Sequence, residues 1–220
     1  MRYARGTSEF DRSLGFFDAV FGFALTLLIA NIDMPPAAAW EDLGSVLSGG
    51  FGTQLLGFLI SFVVIVAFWR ANQELIARLR SFDSPAVIWN IALVGLVIFI
   101  PFTTQGISDP AVDDLPVTTV LYAVNVAAAI LVQTFMYRGA MRRGLGRVHV
   151  PAEVARAEFI DALLKPAVFI ISIPIAILFG GTAGKLTWLL LLVVGPVSGR
   201  FVRRVAQEAG FDPERETADG

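Results

Sequence analysis

The sequence predicts an all-α membrane protein with six transmembrane helices and both termini in the cytoplasm. Hydrophobic residues make up 55% of the 220 residues, and the mean hydropathy is +0.69. Six apolar stretches each approach the length of about 20 residues that a helix needs to cross the hydrocarbon core of a bilayer. With six alternating spans, nearly all of the basic residues fall on one side of the membrane, which indicates the orientation.

The six apolar stretches follow one another with short connections. We predict spans at residues 14–32, 55–72, 86–104, 118–137, 163–179 and 186–201. The first contains Asp18 and is too long for the apolar part of a signal peptide, so we expect it to remain uncleaved. The fifth contains Pro166 and Pro174, and we expect a bend at Pro174. Residues 180–185 then join the last two spans as a tight hairpin.

The charged residues indicate which ends of the spans face the cytoplasm. Of the 17 Lys and Arg residues, 16 lie on the side of the N-terminus, and Lys185 is the exception. Basic residues accumulate in cytoplasmic segments, so both termini are predicted to be inside. The opposite side carries an acidic rim, comprising Asp33, Glu41, Asp42, Asp109, Asp113 and Asp114. This rim would concentrate cations, or it simply reflects solubility and the topology rule.

Two further segments lie outside the spans. Residues 152–164 have the pattern of a short amphipathic helix with Pro151 at its start, and we expect it to lie at the cytoplasmic interface. We divide the chain into a membrane domain at residues 1–207 and a polar cytoplasmic tail at residues 208–220.

The composition excludes several classes of function. The chain has no Cys and a single His, His149, so disulfide frameworks and thiolate metal sites are excluded and catalytic constellations are scarce. The basic residues flank apolar stretches instead of forming a stripe with interleaved aromatic residues, which argues against nucleic-acid binding. We therefore expect neither an enzyme nor a cofactor or resident metal site.

Polar residues within the first three spans are the first candidates for function. Asp18 lies within the first stretch, Asn72 ends the second, and Asn90 is near the start of the third. Asp18 could pair with Arg12, or accept hydrogen bonds from Asn72, Asn90 or a tryptophan N–H. An ionisable residue in a span suggests an ion pathway, but the same four residues could form a polar clamp that fixes helix packing.

The first span also carries an apolar stripe. Phe23, Thr26, Leu27 and Ala30 recur at the spacing of one helix face. In an oligomer this stripe could line a narrow, hydrophobic pore with a ring of Thr26 hydroxyls, since channels use hydrophobic constrictions and polar rings. Taken alone, the spacing favours ordinary helix packing over a pore lining.

The first three spans resemble the signature of the transmembrane-protein-175 potassium channel family. That signature is Arg, three residues, Phe-Ser-Asp, three residues and Ala, and here it reads Arg12, Phe16-Phe17-Asp18 and Gly22. The second helix of the family tends to end with Trp, two residues and His, where this chain has Trp69 and Asn72. The third helix is similar in Asn90 and in the sequence Ile-Pro-Phe at residues 100–102.

The resemblance implies a passive potassium-permeable channel. Bacterial members have six helices in each chain and form tetramers, and the first helix lines a central pore without a carbonyl selectivity filter. The positions matching the constriction and the Thr one turn deeper are Phe23 and Thr26. The implied partners are potassium ions, the lipid bilayer of a bacterial plasma membrane and further copies of the chain. Phe17, Phe23 and Asn72 are departures from the pattern, and they imply a rewired hydrogen-bond network around Asp18.

Two alternatives remain. A proton-coupled secondary transporter would use Asp18 as its coupling carboxylate, with a pKa raised by desolvation. Against it, the sequence shows one carboxylate within a predicted span and neither inverted repeats nor paired broken helices. A membrane-bound enzyme or assembly factor is the other alternative, and an enzyme lacks a catalytic constellation here.

Overall fold

The computed structural model describes residues 2–4, 7–48 and 50–211, and this part of the chain confirms the all-α fold with six helices able to span a membrane. Their bounds are Ser8–Ala30 (α1), Phe51–Ala77 (α3), Ser84–Ser108 (α4), Pro116–Arg142 (α5), Ala152–Phe179 (α6) and a last segment, Gly181–Glu208. A 3-10 turn at Ala37–Glu41 and the short helix α2 at Leu43–Ser48 lie between α1 and α3.

The fifth of the spanning helices, α6, corrects one prediction from the sequence. Residues 152–164 do not form a separate interfacial helix, because α6 runs without interruption from Ala152 to Phe179 through Pro166 and Pro174. At 1.5 Å per residue these 28 residues extend about 42 Å. The hydrocarbon core is about 30 Å thick, so one end of α6 projects beyond it.

The hairpin between the last two spans is also shorter than predicted. The turn is made at Gly180, whose φ of 96° is a conformation that favours glycine. Helix α7 at Gly181–Leu186, a 3-10 turn at Thr187–Leu190 and α8 at Leu191–Glu208 then follow without a loop. Residues 180–185 are therefore largely helical. Most of the predicted polar tail, residues 212–220, lies outside the described residues.

A small sheet that the sequence did not suggest forms beside the helices. Strand β1 (Arg2–Ala4) pairs antiparallel with β2 (Ser81–Asp83), which directly precedes α4. The Asp83 carboxylate accepts a hydrogen bond from the Ala86 N–H at 2.9 Å and thereby caps α4. It also accepts from Arg143 Nε at 2.6 Å, which ties the start of α4 to the end of α5.

The packing order of the helices determines which faces stay open. Helix α1 packs against α3 and α4, α4 against α5, α5 against α6, and α6 against α8. A buried polar seam crosses three of these helices, because Thr104 Oγ1 donates to Ser61 Oγ at 2.7 Å and Ser61 Oγ lies 3.1 Å from the Tyr122 hydroxyl. Because α1 packs only against α3 and α4 among the described long helices, it lies at one edge of the bundle with one face against the core.

Candidate functional site

Helix α1 has two faces of different character. Thr7 caps its start by accepting a hydrogen bond from the Phe10 N–H. One face is buried against α3 and α4, and its members are Phe10, Phe17, Phe21, Ala24 and Leu28. This spacing follows the helical period, and the opposite face has no neighbouring helix among the described residues.

The exposed face contains the stripe singled out in the sequence. Phe23 is 60% exposed, Thr26 and Ala30 are exposed, and Leu27 at the margin is half-buried. The Thr26 hydroxyl donates to the Phe23 carbonyl at 2.7 Å, which leaves its oxygen able to accept. Phe16 is 58% exposed two turns before Phe23. The stripe analysis did not include Phe16, although its spacing of seven residues places it on the same face.

Asp18 lies on another side of α1. At 100° per residue it is about 140° around the helix from Phe23. One of its oxygens, Oδ1, accepts hydrogen bonds from Trp69 Nε1 at 2.9 Å and Gln73 Nε2 at 2.5 Å, both on α3. These contacts join α1 to α3.

The structure brings together a different set of partners for Asp18 than the sequence suggested. The expected tryptophan N–H is present, and Gln73 replaces the expected Asn72. Arg12 is exposed and forms no ion pair within the described part of the chain. Gln73 could have been found from its spacing, since it follows Trp69 by four residues and therefore shares its helix face.

Asn72 and Asn90 are buried instead of bonded to Asp18. Their exposed fractions are 1% and 0%, and Asn125 on α5 is 4% exposed. Among the described residues, Asn72 Oδ1 and both amide atoms of Asn90 and Asn125 have no hydrogen-bond partner. Unpaired buried amides cost free energy. These three residues are therefore the polar positions of the core whose hydrogen-bonding groups remain unsatisfied among the described residues.

Residues of the acidic rim form hydrogen bonds that connect different segments of the chain. Asp33 Oδ2 accepts from Gln54 Nε2 at 3.2 Å, and the Lys185 ammonium donates to the Asp113 carbonyl at 2.9 Å. Asp114 Oδ1 accepts from the Thr182 N–H at 3.1 Å, and its hydrogen bonds with Thr182 hold the pKa of Asp114 below its usual range. Part of the rim therefore has a structural role at the mouth of the bundle.

A carboxylate on α6 joins two helices, and the sequence analysis did not single it out. Asp161 is on α6, where it accepts from Ser198 Oγ at 2.5 Å and from Lys165 Nζ at 2.7 Å. Asp161 lies in the part of α6, residues 152–164, that the sequence analysis assigned to an interfacial helix. Within residues 2–4, 7–48 and 50–211, no group of three or more His, Cys, Asp or Glu side chains could hold a metal ion.

Comparison with known proteins supports the resemblance. Residues 12–101 match the family model described as endosomal/lysosomal potassium channel TMEM175. A potassium channel from Chamaesiphon minutus is 33% identical over 46% of this chain and 51% of its own length, so the match spans about half of that relative. A potassium channel from Streptomyces collinus is 26% identical over 68% of this chain and 74% of its own. The endosomal/lysosomal proton channel TMEM175 of Mus musculus is 23% identical over 61% of this chain and 27% of its own.

The fold agrees with a solved structure. The crystal structure of a lysosomal potassium-selective channel TMEM175 homolog from Chamaesiphon minutus matches with a TM-score of 0.64, over 90% of this chain and 99% of that chain. The two sequences are 22% identical in this alignment, so the agreement concerns the fold. Six apolar helices and bacterial relatives together identify a multi-pass protein of the bacterial plasma membrane.

Proposed function

We propose, from the confirmed resemblance of this chain to the TMEM175 family, that it is a passive potassium-permeable cation channel. The pore would be central to an oligomer, most simply a tetramer, and lined by α1. The observation that supports this most strongly is the exposed face of α1. This face lies within the stretch that matches the family model, and it presents the Thr26 hydroxyl beside the exposed Phe23 on a helix at the edge of the bundle, where other copies could complete a pore.

The stripe on this face has the chemistry of a hydrophobic constriction. Phe23 would narrow the pore, and the half-buried Leu27 would support it from the margin. Thr26 would supply one hydroxyl from each copy, with its oxygen free to accept a contact from a hydrated cation because its proton is held by the Phe23 carbonyl. Ala30 would leave a wider section beyond. Such a pore would gate by dewetting at the constriction and would use a polar ring instead of a carbonyl filter.

Asp18 would act as a brace for the pore helix. Its two hydrogen bonds to α3 support a role in fixing the rotation of α1, which decides that Phe23 points away from the core. In this proposal the polar clamp consists of Asp18 with Trp69 and Gln73. Asn72 and Asn90 contribute as buried polar groups of α3 and α4, and Arg12 as an exposed cation near the start of α1.

The experiment is cation flux through purified protein in liposomes. Potassium and sodium gradients are imposed in parallel, with and without a pH gradient, and the molecular mass of the detergent-solubilised protein is measured by light scattering. We expect potassium flux down its gradient, insensitive to the pH gradient, from an oligomer of four chains. Absence of cation flux at any voltage, or a monomer, would overturn the proposal.

The transporter alternative is tested by one variant. If Asp18 coupled cation movement to protons, then Asp18→Asn would abolish flux and proton exchange together. In a channel the same variant retains passive potassium flux, because the amide oxygen can still accept a hydrogen bond from α3. Proton flux measured in the same liposomes also distinguishes potassium conduction from the proton conduction named for the mouse relative.

A further inference from the structure

A large cleft lies away from α1, between α3, α5, α6 and α8. It encloses about 1230 Å³. Helices α3 and α6 both contact α5, and the Arg78 guanidinium at the end of α3 bridges to Glu158 on α6 at 2.7 Å. The cleft therefore lies at the end of the bundle where α3, α5 and α8 end and α6 begins, which the charge distribution predicts to be cytoplasmic.

The deeper wall of this cleft is apolar. Side chains from all four helices contribute to it, namely Val64, Phe68, Val126, Ile130, Phe169 and Leu191. These residues belong to membrane-spanning helices, so the apolar wall lies at the depth of lipid acyl chains. A water-filled cleft would be unfavourable against such a wall.

The mouth of the cleft is strongly basic. Seven Arg and one Lys line it, against three carboxylates. Each of the three carboxylates already has a cationic partner: Glu158 has Arg78, Asp161 has Lys165, and Glu74 has Arg70. Among the described residues, Arg142, Arg147, Arg156 and Arg203 form no ion pair. The described residues around the mouth therefore do not neutralise its positive charge.

One of the arginines that line the cleft, Arg138, is held in place by an aromatic ring of the same cleft. The Arg138 guanidinium lies 3.9 Å from the centre of the Phe159 ring, which holds it in place by a cation–π contact. An arginine fork presents several donors to a phosphate at once. The cleft thus combines fixed and free guanidinium groups with an apolar wall.

We propose that this cleft binds an anionic phospholipid of the cytoplasmic leaflet. The phosphate head group would contact the guanidinium groups at the mouth, and the acyl chains would lie along the apolar wall between α3 and α6. Basic pockets between transmembrane helices on the cytoplasmic side suit such head groups. A soluble phosphate would use the charge alone, whereas a lipid uses both halves of the cleft. This inference concerns a surface other than the proposed pore, and its test does not depend on conduction.

The test is native mass spectrometry of the full chain in detergent with added lipid. Dioleoyl-phosphatidylglycerol and dioleoyl-phosphatidylcholine, which share acyl chains, are titrated in parallel. The first variant is the double substitution R142Q/R203Q at the mouth. The matched control is R200Q/R204Q, which removes two exposed arginines of α8 that do not line the cleft.

We expect retention of phosphatidylglycerol over phosphatidylcholine by the wild type. The mouth variant should lose affinity for phosphatidylglycerol by about tenfold or more, since each basic residue near an anionic lipid surface contributes substantially. The control variant should keep the wild-type preference. Equal retention of the two lipids by the wild type would overturn the proposal without any variant. So would an equal loss in both double variants, or full displacement of phosphatidylglycerol by inorganic phosphate at millimolar concentration.

Discussion

Replacing Asp18 tests the brace that is proposed to set the rotation of the pore helix. Asp18 Oδ1 accepts two hydrogen bonds from α3, at 2.9 and 2.5 Å. Hydrogen bonds between membrane helices contribute on average about 0.6 kcal/mol and at most about 1.7, and bonds to a charged acceptor are roughly twice as strong as neutral ones. Trp69 is 42% exposed, which reduces the contribution of its hydrogen bond. For the two bonds together we expect Asp18→Ala to lower the free energy of unfolding by about 1–3 kcal/mol.

The assay is unfolding of the purified protein in mixed micelles with increasing SDS, followed by tryptophan fluorescence. Gln73→Ala is measured alone and together with Asp18→Ala, and the coupling free energy between the two residues should be on the order of 1 kcal/mol. Arg12→Ala is the matched control, because Arg12 is an exposed charge on the same helix. The brace is refuted if Asp18→Ala is no more destabilising than Arg12→Ala, or if the Asp18 and Gln73 effects simply add.

Three further predictions concern the proposed pore, the helix packing and the ion pair at the start of α4. Phe23→Ala should raise potassium conductance and lower the potassium-to-sodium ratio, and an unchanged current in liposomes would place the constriction elsewhere. Gly57→Ala should destabilise the fold by about 1–3 kcal/mol in SDS unfolding, since a Cβ there would lie 2.5 Å from Ser108 Cβ, whereas Gly95→Ala meets no atom within 4 Å and should not. Burial alone would raise the pKa of Asp83, but its hydrogen bonds and ion pair lower it, so its stabilisation is present above the usual value of about 3.9 and is lost as the pH falls below it. Thermal unfolding between pH 7 and 3 should show this loss, and Asp83→Asn should remove it.

The sequence was sufficient for the spans because hydrophobicity over about 20 residues is a strong signal. The prediction was wrong at residues 152–164. The charged residues there have the pattern of a separate interfacial helix, but they belong to the one long helix α6. There Asp161, Lys165 and Ser198 satisfy one another across α6 and α8. Such pairing depends on which helices are neighbours, and periodicity along one helix does not contain that information.

The candidate site was predictable to a similar degree. The two faces of α1 follow from its spacing, and the structure places Phe23 and Thr26 on the exposed one. The sequence offered a tryptophan N–H, Asn72 and Asn90 as donors to Asp18, and it did not decide between them. The rotation of α3 decides between them, and it buries Asn72 while directing Trp69 and Gln73 to Asp18.

The exposed face of α1 as the pore lining is the central proposal, and the absence of cysteine from the chain allows a direct measurement. Thr26→Cys is reconstituted in liposomes and treated with a charged, membrane-impermeant thiol reagent during potassium flux. Ile177→Cys is the matched control, since Ile177 is 61% exposed on α6 and distant in sequence from the stripe. We predict that the reagent blocks flux through Thr26→Cys and leaves Ile177→Cys unaffected. Uninhibited flux through a Thr26→Cys channel whose thiol is shown to be modified would contradict the account.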